Sequence, residues 1–249
     1  MTLYKILLIL SLAVMPIMAA ENKNESTATT AAQLAYQQAL LKVESDRALL
    51  LASKSISFVE VHEEPTGESK STAKLLSLTS SGEEHITLLD NSTQREAQTG
   101  LNWESSLLIN SARFPDNPAL INETETTWIF HIPTMVSADI DDTVEQVDNN
   151  KVNARLMSAL TSELTVSKQS MRFLSLKTYS KQAFKPESLV KISKFHVNID
   201  YGQTWPDGPW VAKSISRVVK GSYAFFMTVD ESSNTKFLDF RMVKQPSLP

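Results

Sequence analysis

From residue 155 to the C-terminus one event recurs six times: a run of nine to thirteen residues rich in apolar and β-forming side chains, then a short polar break. The runs are RLMSALTSELTV (155–166), SMRFLSLKTYS (170–180), LVKISKFHVNIDY (189–201), WVAKSISRVVK (210–220), SYAFFMTVD (222–230) and TKFLDFRMV (235–243). Such spacing predicts antiparallel strands joined by tight turns, and consecutive strands so joined form a meander. Period two is explicit in places. Leu156, Leu160, Leu164 and Val166 share one parity, and Phe195, Val197, Ile199 and Tyr201 alternate with Lys194, His196, Asn198 and Asp200. One break, TWPDGPW (204–210), sets Trp205 and Trp210 around a Pro-Asp-Gly-Pro turn, where a cross-strand pair would pin the register.

The first half carries the same signal less regularly. SISFVEVHE (55–63), STAKLLSL (71–78), HITLLD (85–90), ALINE (119–123) and TTWIFHIPT (126–134) read as strands, the last with Trp128, Phe130 and Ile132 on one face. RFPDNP (113–118) is a break, residues 94–110 are ambiguous with a helical reading through WESSLLIN, and SADIDDTVEQVDNN (137–150) is a polar, acidic loop. Residues 31–53 lack Gly and Pro and are full of helix formers, with Leu34, Leu41, Ala48 and Leu49 near one stripe. That stripe is expected to lie on the sheet. The polar face lacks the basic enrichment of a membrane-surface helix.

Residues 1–20 have the anatomy of a cleaved secretory signal: a basic start at Lys5, an uncharged run over 6–20, and a small-residue exit at Ala19-Ala20. The run is too short to span a bilayer. A polar segment over 21–30 follows, and 31–245 is expected to form a single domain. The chain has no cysteine, so an exported protein of this kind relies on an ordinary core instead of disulfides, which fits a bacterial periplasm. The formal net charge is −4 with the signs well mixed, which argues against nucleic acid as a partner.

Motifs for chemistry are missing. With six glycines in all, the chain holds no G-x-S-x-G elbow, no phosphate loop and no dinucleotide fingerprint. His62, His85, His131 and His196 are scattered without ligand spacing, and each reads first as a strand residue on a wet face. The acidic cluster Asp139, Asp141, Asp142, Glu145 and Asp148 lacks the glycine and terminal glutamate of a calcium loop. No catalytic set, metal or cofactor is assigned. A dispersed catalytic set remains the alternative, as does a scaffold that acts through protein contacts.

Apolar matter is plentiful instead, and some strands carry it at both parities: Tyr223, Phe225, Met227 and Val229 oppose Ala224 and Phe226. Two architectures satisfy this: a filled core, or a half-closed barrel around an apolar cavity. An outer-membrane barrel alternates similarly, but Lys and Arg interrupt both faces here and the chain ends in QPSLP.

Three stretches of the last 90 residues carry a resemblance. Gly208-Pro209-Trp210-Val211-Ala212, Val219-Lys220-Gly221-Ser222-Tyr223-Ala224-Phe225 and Phe237-Leu238-Asp239-Phe240 resemble the final strands of the outer-membrane lipoprotein carrier (LolA/LolB-like) superfamily. Ala212 stands where relatives often have proline. The resemblance implies a mainly β protein with a few helices: a curved antiparallel sheet, or half-open barrel, against an N-terminal helix. It further implies a periplasmic, non-catalytic carrier whose concave face holds a lipid or lipoprotein acyl chain. On that reading Trp128, Phe130, Ile199, Tyr201, Trp210, Phe225 and Met227 line the cavity.

Overall fold

The computed structural model describes residues 30–51, 54–63, 69–78, 84–88, 107–109, 111, 114–133, 154–224 and 226–244. The signal, the acidic loop over 137–150 and Phe225 lie outside them.

A 22-residue helix, α1 (Thr30–Leu51), precedes eleven strands. They are β1 (Lys54–Glu63), β2 (Ser69–Leu78), β3 (Glu84–Leu88), β4 (Ala119–Glu123), β5 (Thr127–Ile132), β6 (Leu160–Ser167), β7 (Phe173–Ser180), β8 (Phe184–Glu187), β9 (Val190–Gln203), β10 (Trp210–Tyr223) and β11 (Met227–Lys244). A short helix, α2 (154–159), leads into β6. All strand pairs are antiparallel, in the order β3-β2-β1-β11-β10-β9-β7-β6-β5-β4, with β8 attached to β9. The sheet is curved and unclosed, with β3 and β4 as its edges. The meander expected from residue 155 onward is present from β6 to β11, with β8 set beside β9 off the main path. The link it does not reveal is β11 to β1, which joins the last strand to the first along registers from Lys54↔Lys244 to Glu63↔Asn234.

Bulges explain why apolar residues occupy both parities. On β7 the register steps opposite Thr165 and Val166 of β6, so Phe173 and Leu176 both face inward. On β9 it steps opposite Lys220 and Gly221, so Val190 and Ile192 share the buried face of Phe195 and Val197 despite the odd offset. An extra residue in a ladder bends and twists the strand, as a curved sheet requires. The second bulge also depends on Gly221, because a Cβ there would lie 2.3 Å from the Lys191 carbonyl oxygen. Gly221→Ala is therefore expected to lower stability by about 1–3 kcal/mol, read as a shift in urea midpoint. A loss within error would show that the β9–β10 backbone yields freely.

Three sequence expectations need correction. First, α1 turns its alanines inward: Ala32, Ala35, Tyr36, Ala39, Val43 and Asp46 are buried, whereas Leu34 is 58% and Leu41 70% exposed, with Leu49 also exposed. Small side chains let the helix approach closely, and Tyr36 fills the gap between Phe130 and Phe173, 5.3 and 6.0 Å from their ring centroids.

Second, 155–166 is not one strand. Leu156 and Leu160 are both buried, but the first lies on α2 and the second opens β6. A spacing of four is compatible with either period. Third, the expected strands 222–230 and 235–243 are not separate. The chain reverses between the paired Tyr223 and Met227, with Ala224 in the left-handed region (φ 48°), and the 18-residue β11 runs through Glu231-Ser232-Ser233-Asn234. These polar residues keep β structure because β10 pairs with all four and Glu63 of β1 pairs with Asn234.

The turn at 204–210 forms, closed by Gly208 N donating to Trp205 O (2.8 Å) and Thr204 N donating to Pro209 O (3.0 Å). Asp207 takes the positive φ of 61°, while Gly208 is required for space, since a Cβ would sit 2.4 Å from Thr204 Oγ1. The tryptophans do not pair across it. Trp210 stands opposite Gln203, and each ring joins a different apolar cluster.

Candidate functional site

Following the registers, one face of the sheet is apolar over most of its width. It carries Trp128, Phe130 and Ile132 on β5, Leu164 and Val166 on β6, Phe195 and Val197 on β9, Ile215 and Val219 on β10, Phe237 on β11, and Ile56 and Phe58 on β1. The opposite face is polar, with pairs such as Lys220–Asp230 (2.9 Å), Lys236–Glu63 (2.6 Å) and Ser214 donating to Asp200 (2.8 Å). This alternation supplies the inner and outer surfaces of the curve.

The inner face divides into two clusters. One gathers β5, β6 and β7 under the alanine face of α1. A node around Asp46 fixes the helix there. The Asp46 carboxylate, almost fully buried, accepts from Arg172 Nη1, from Arg172 Nη2 (3.4 Å) and from the Trp210 backbone N (3.2 Å). Arg172 also lies over the Trp210 ring at 5.3 Å, and Trp210 Nε1 donates to Phe173 O at 2.6 Å. Tyr36 donates to Pro115 O at 2.7 Å, and burial pushes its phenol well above its ordinary range.

The second cluster spans β1, β2, β9, β10 and β11, and its partners from outside the sheet are smaller: Leu107 and Leu108, which hold the edge of β10 through Ala212 N donating to Leu107 O (2.9 Å), and Leu156 of α2. Around it, Ile86, Phe184, Ile199, Tyr201, Trp205, Tyr223 and Phe240 remain only partly buried. Phe58 meets Phe237 edge-on at 5.9 Å and stacks on Phe240 at 6.0 Å, while Lys213 Nζ lies 4.1 Å from the Phe240 centroid. Burial holds the Lys213 ammonium below its ordinary pKa.

The seven residues singled out from sequence do not form one group. Trp128, Phe130 and Trp210 belong to the helix-covered cluster. Ile199 belongs to the second, and Tyr201 touches both, its phenol raised by burial and then by the Asp200 charge. Met227 is 43% exposed where β11 leaves the hairpin, and Phe225 lies outside the described residues. What sequence reading missed is a polar band on the inner face of β10, β11 and β1: Arg217, Glu231, Ser233, Thr235 and His62, with His62 Nδ1 3.1 Å from Thr235 Oγ1. Its signal was present in Ile215-x-Arg217-x-Val219, where a cation interrupts the inward parity.

Of the four histidines, His62, His131 and His196 are half-buried strand residues, and burial followed by Lys177 and Lys194 holds His196 below its ordinary pKa. Among the described residues no three His, Asp or Glu side chains converge on a metal position. No helix among them is long and apolar enough to cross a membrane.

Fold and site together define a class: a one-sided, curved antiparallel sheet with an apolar concave face and a helix over part of it. The chain is similar to a solved LolA superfamily protein from Nitrosomonas europaea, at 13% identity and a TM-score of 0.37 over 89% of this chain and 96% of that one. A likeness of that degree carries nothing about ligand or activity. No family model and no curated protein matches the chain.

Proposed function

We propose that the protein is an exported, non-catalytic carrier that buries the acyl chain of a lipid-like ligand against the inner face of β9, β10, β11 and β1. One observation carries this reading: the second cluster includes no side chain of α1, and large side chains packed against it, Ile199, Tyr201, Trp205, Tyr223 and Phe240 among them, stay only partly buried. A surface of that kind is stabilised by taking up apolar matter, at about 25 cal/mol per Å² removed from water. Of the residues picked from sequence, Ile199 and Tyr201 centre the seat. The signal-like N-terminus supports a location outside the cytoplasm, in the periplasm of a bacterium.

Native mass spectrometry of the full chain after periplasmic expression tests the proposal. Co-purified lipid, or uptake of a fluorescent fatty-acid probe by protein stripped of lipid, is the expected result. A clean mass together with no probe uptake sinks it.

A further inference from the structure

Lys213 is a half-buried cation with no anion. It occupies the irregularity of β10, where the register to β9 steps between Ala212 and Ser214, and such an extra residue re-aims its side chain. Its stem runs beside Gly202 of β9, where a Cβ would lie 2.9 Å from Lys213 Cγ, and its Nζ ends 4.1 Å from the Phe240 ring centroid. Phe240 in turn stacks on the buried Phe58 at 6.0 Å, so the ammonium caps an aromatic stack that leads into the second cluster. The carboxylates of the neighbouring strands are committed elsewhere. Asp200, in register with Ser214, accepts from Ser214 Oγ and from Asn198 Nδ2, each at 2.8 Å. Glu60, in register with Phe237, accepts from Lys74 at 2.8 Å. This end of the sheet therefore holds one closed ion pair and one open cation. Among the described residues Lys213 makes no hydrogen bond or ion pair, and the Phe240 ring is its only electrostatic partner. A ring face offsets part of the cost of desolvating an ammonium, about 0.5–2 kcal/mol, and leaves its three donors unmet.

Resting on the carrier reading, we infer that Lys213 seats the oxyanionic head group of an amphiphile whose chain lies among Ile199, Trp205 and Phe240. An ammonium is a compact point charge with three rotatable donors, so it meets carboxylate or phosphate oxygens without demanding a fixed fork geometry. A charge-assisted bond of this kind is roughly twice as strong as one between neutral groups, and poor hydration strengthens it further. The side chains that would flank the head group and chain are the partly buried ones packed against the second cluster, and Tyr201 stands in register with Ala212 beside the lysine. The incoming anion supplies the counter-charge that the fold itself leaves out.

Displacement of a fluorescent fatty-acid probe from the lipid-stripped full chain at neutral pH, by decanoate, decan-1-ol and inorganic phosphate, tests this. The wild type is expected to bind decanoate roughly ten- to a hundred-fold tighter than decanol, the span of one charge-assisted hydrogen bond. Lys213→Met keeps the apolar stem and deletes the charge, so acid and alcohol should bind it alike. Inorganic phosphate, which has no chain, should not displace the probe. Equal affinity for acid and alcohol in the wild type overturns the inference and leaves the carrier standing. A preference that survives in Lys213→Met places the head group at another cation and overturns the assignment. Displacement by free phosphate overturns it in favour of a simple anion site. Binding of neither amphiphile removes the carrier and this seat together. Should Lys213→Met fail to fold, acetylation of the wild type, read by peptide mass, decides the matter. Bound decanoate is expected to protect Lys213 several-fold more than bound decanol, and equal protection is the contrary result.

Discussion

Asp46→Ala is expected to lower stability by about 3 kcal/mol, at the lower end of what breaking a buried ion pair removes. Asp46 is 7% exposed at its side chain and gathers donors from two strands, Arg172 just before β7 and the first backbone amide of β10. Deleting the carboxylate leaves the amide unsatisfied and the Arg172 charge facing a void. The node also sets where α1 lies on the sheet, so the loss is structural as well as electrostatic. Urea unfolding followed by tryptophan fluorescence reads it. Asp46→Asn retains an acceptor and should lose less. The double variant Asp46→Leu with Arg172→Met should lose less than the two single losses together, because removing both charges leaves neither one stranded. A loss below 1 kcal/mol for Asp46→Ala would show that α1 is held by apolar contact alone.

What the sequence makes legible here depends on whether the local pattern and the tertiary answer share a period. Thr127–Ile132 alternates perfectly, and its burial follows, with Trp128, Phe130 and Ile132 inside. The helix length was nearly right and its buried face was wrong, because a hydrophobicity stripe favours leucine while close approach to two phenylalanines favours alanine. The continuous β11 was hidden because Glu-Ser-Ser-Asn has turn chemistry, and only pairing with β10 and β1 overrides it. Pairing of β11 with β1 joins residues such as Lys54 and Lys244, far apart along the chain, and has no local signature at all. The inner-face polar band was missed for the same reason. Arg217 is visible as a cation at inward parity, but Glu231 joins it only once the break at 231–234 is understood as strand.

Phe130→Ala is expected to cost about 3–5 kcal/mol, the upper range for a large side chain deleted from a core. Phe130 is fully buried on β5, and the helical surface above it is built from Ala32, Ala35 and Ala39 around Tyr36. Alanines cannot reach into the vacated volume, so the site collapses poorly and retains most of the cavity. Amide exchange should accordingly accelerate in α1 more than in β9 and β10, since the second cluster keeps its own contacts. A loss under 1.5 kcal/mol would mean that α1 settles onto the sheet and that its alanine face is not a fixed spacer. The same variant locates the ligand. A ligand that binds the folded state raises the unfolding midpoint by mass action. If the acyl chain lies among Ile199, Trp205 and Phe240, the fatty-acid-induced rise survives in Phe130→Ala, because those side chains pack against the second cluster and not against the one that loses Phe130. If the rise disappears, the chain lies beneath α1, and the helix is the element that opens to admit it.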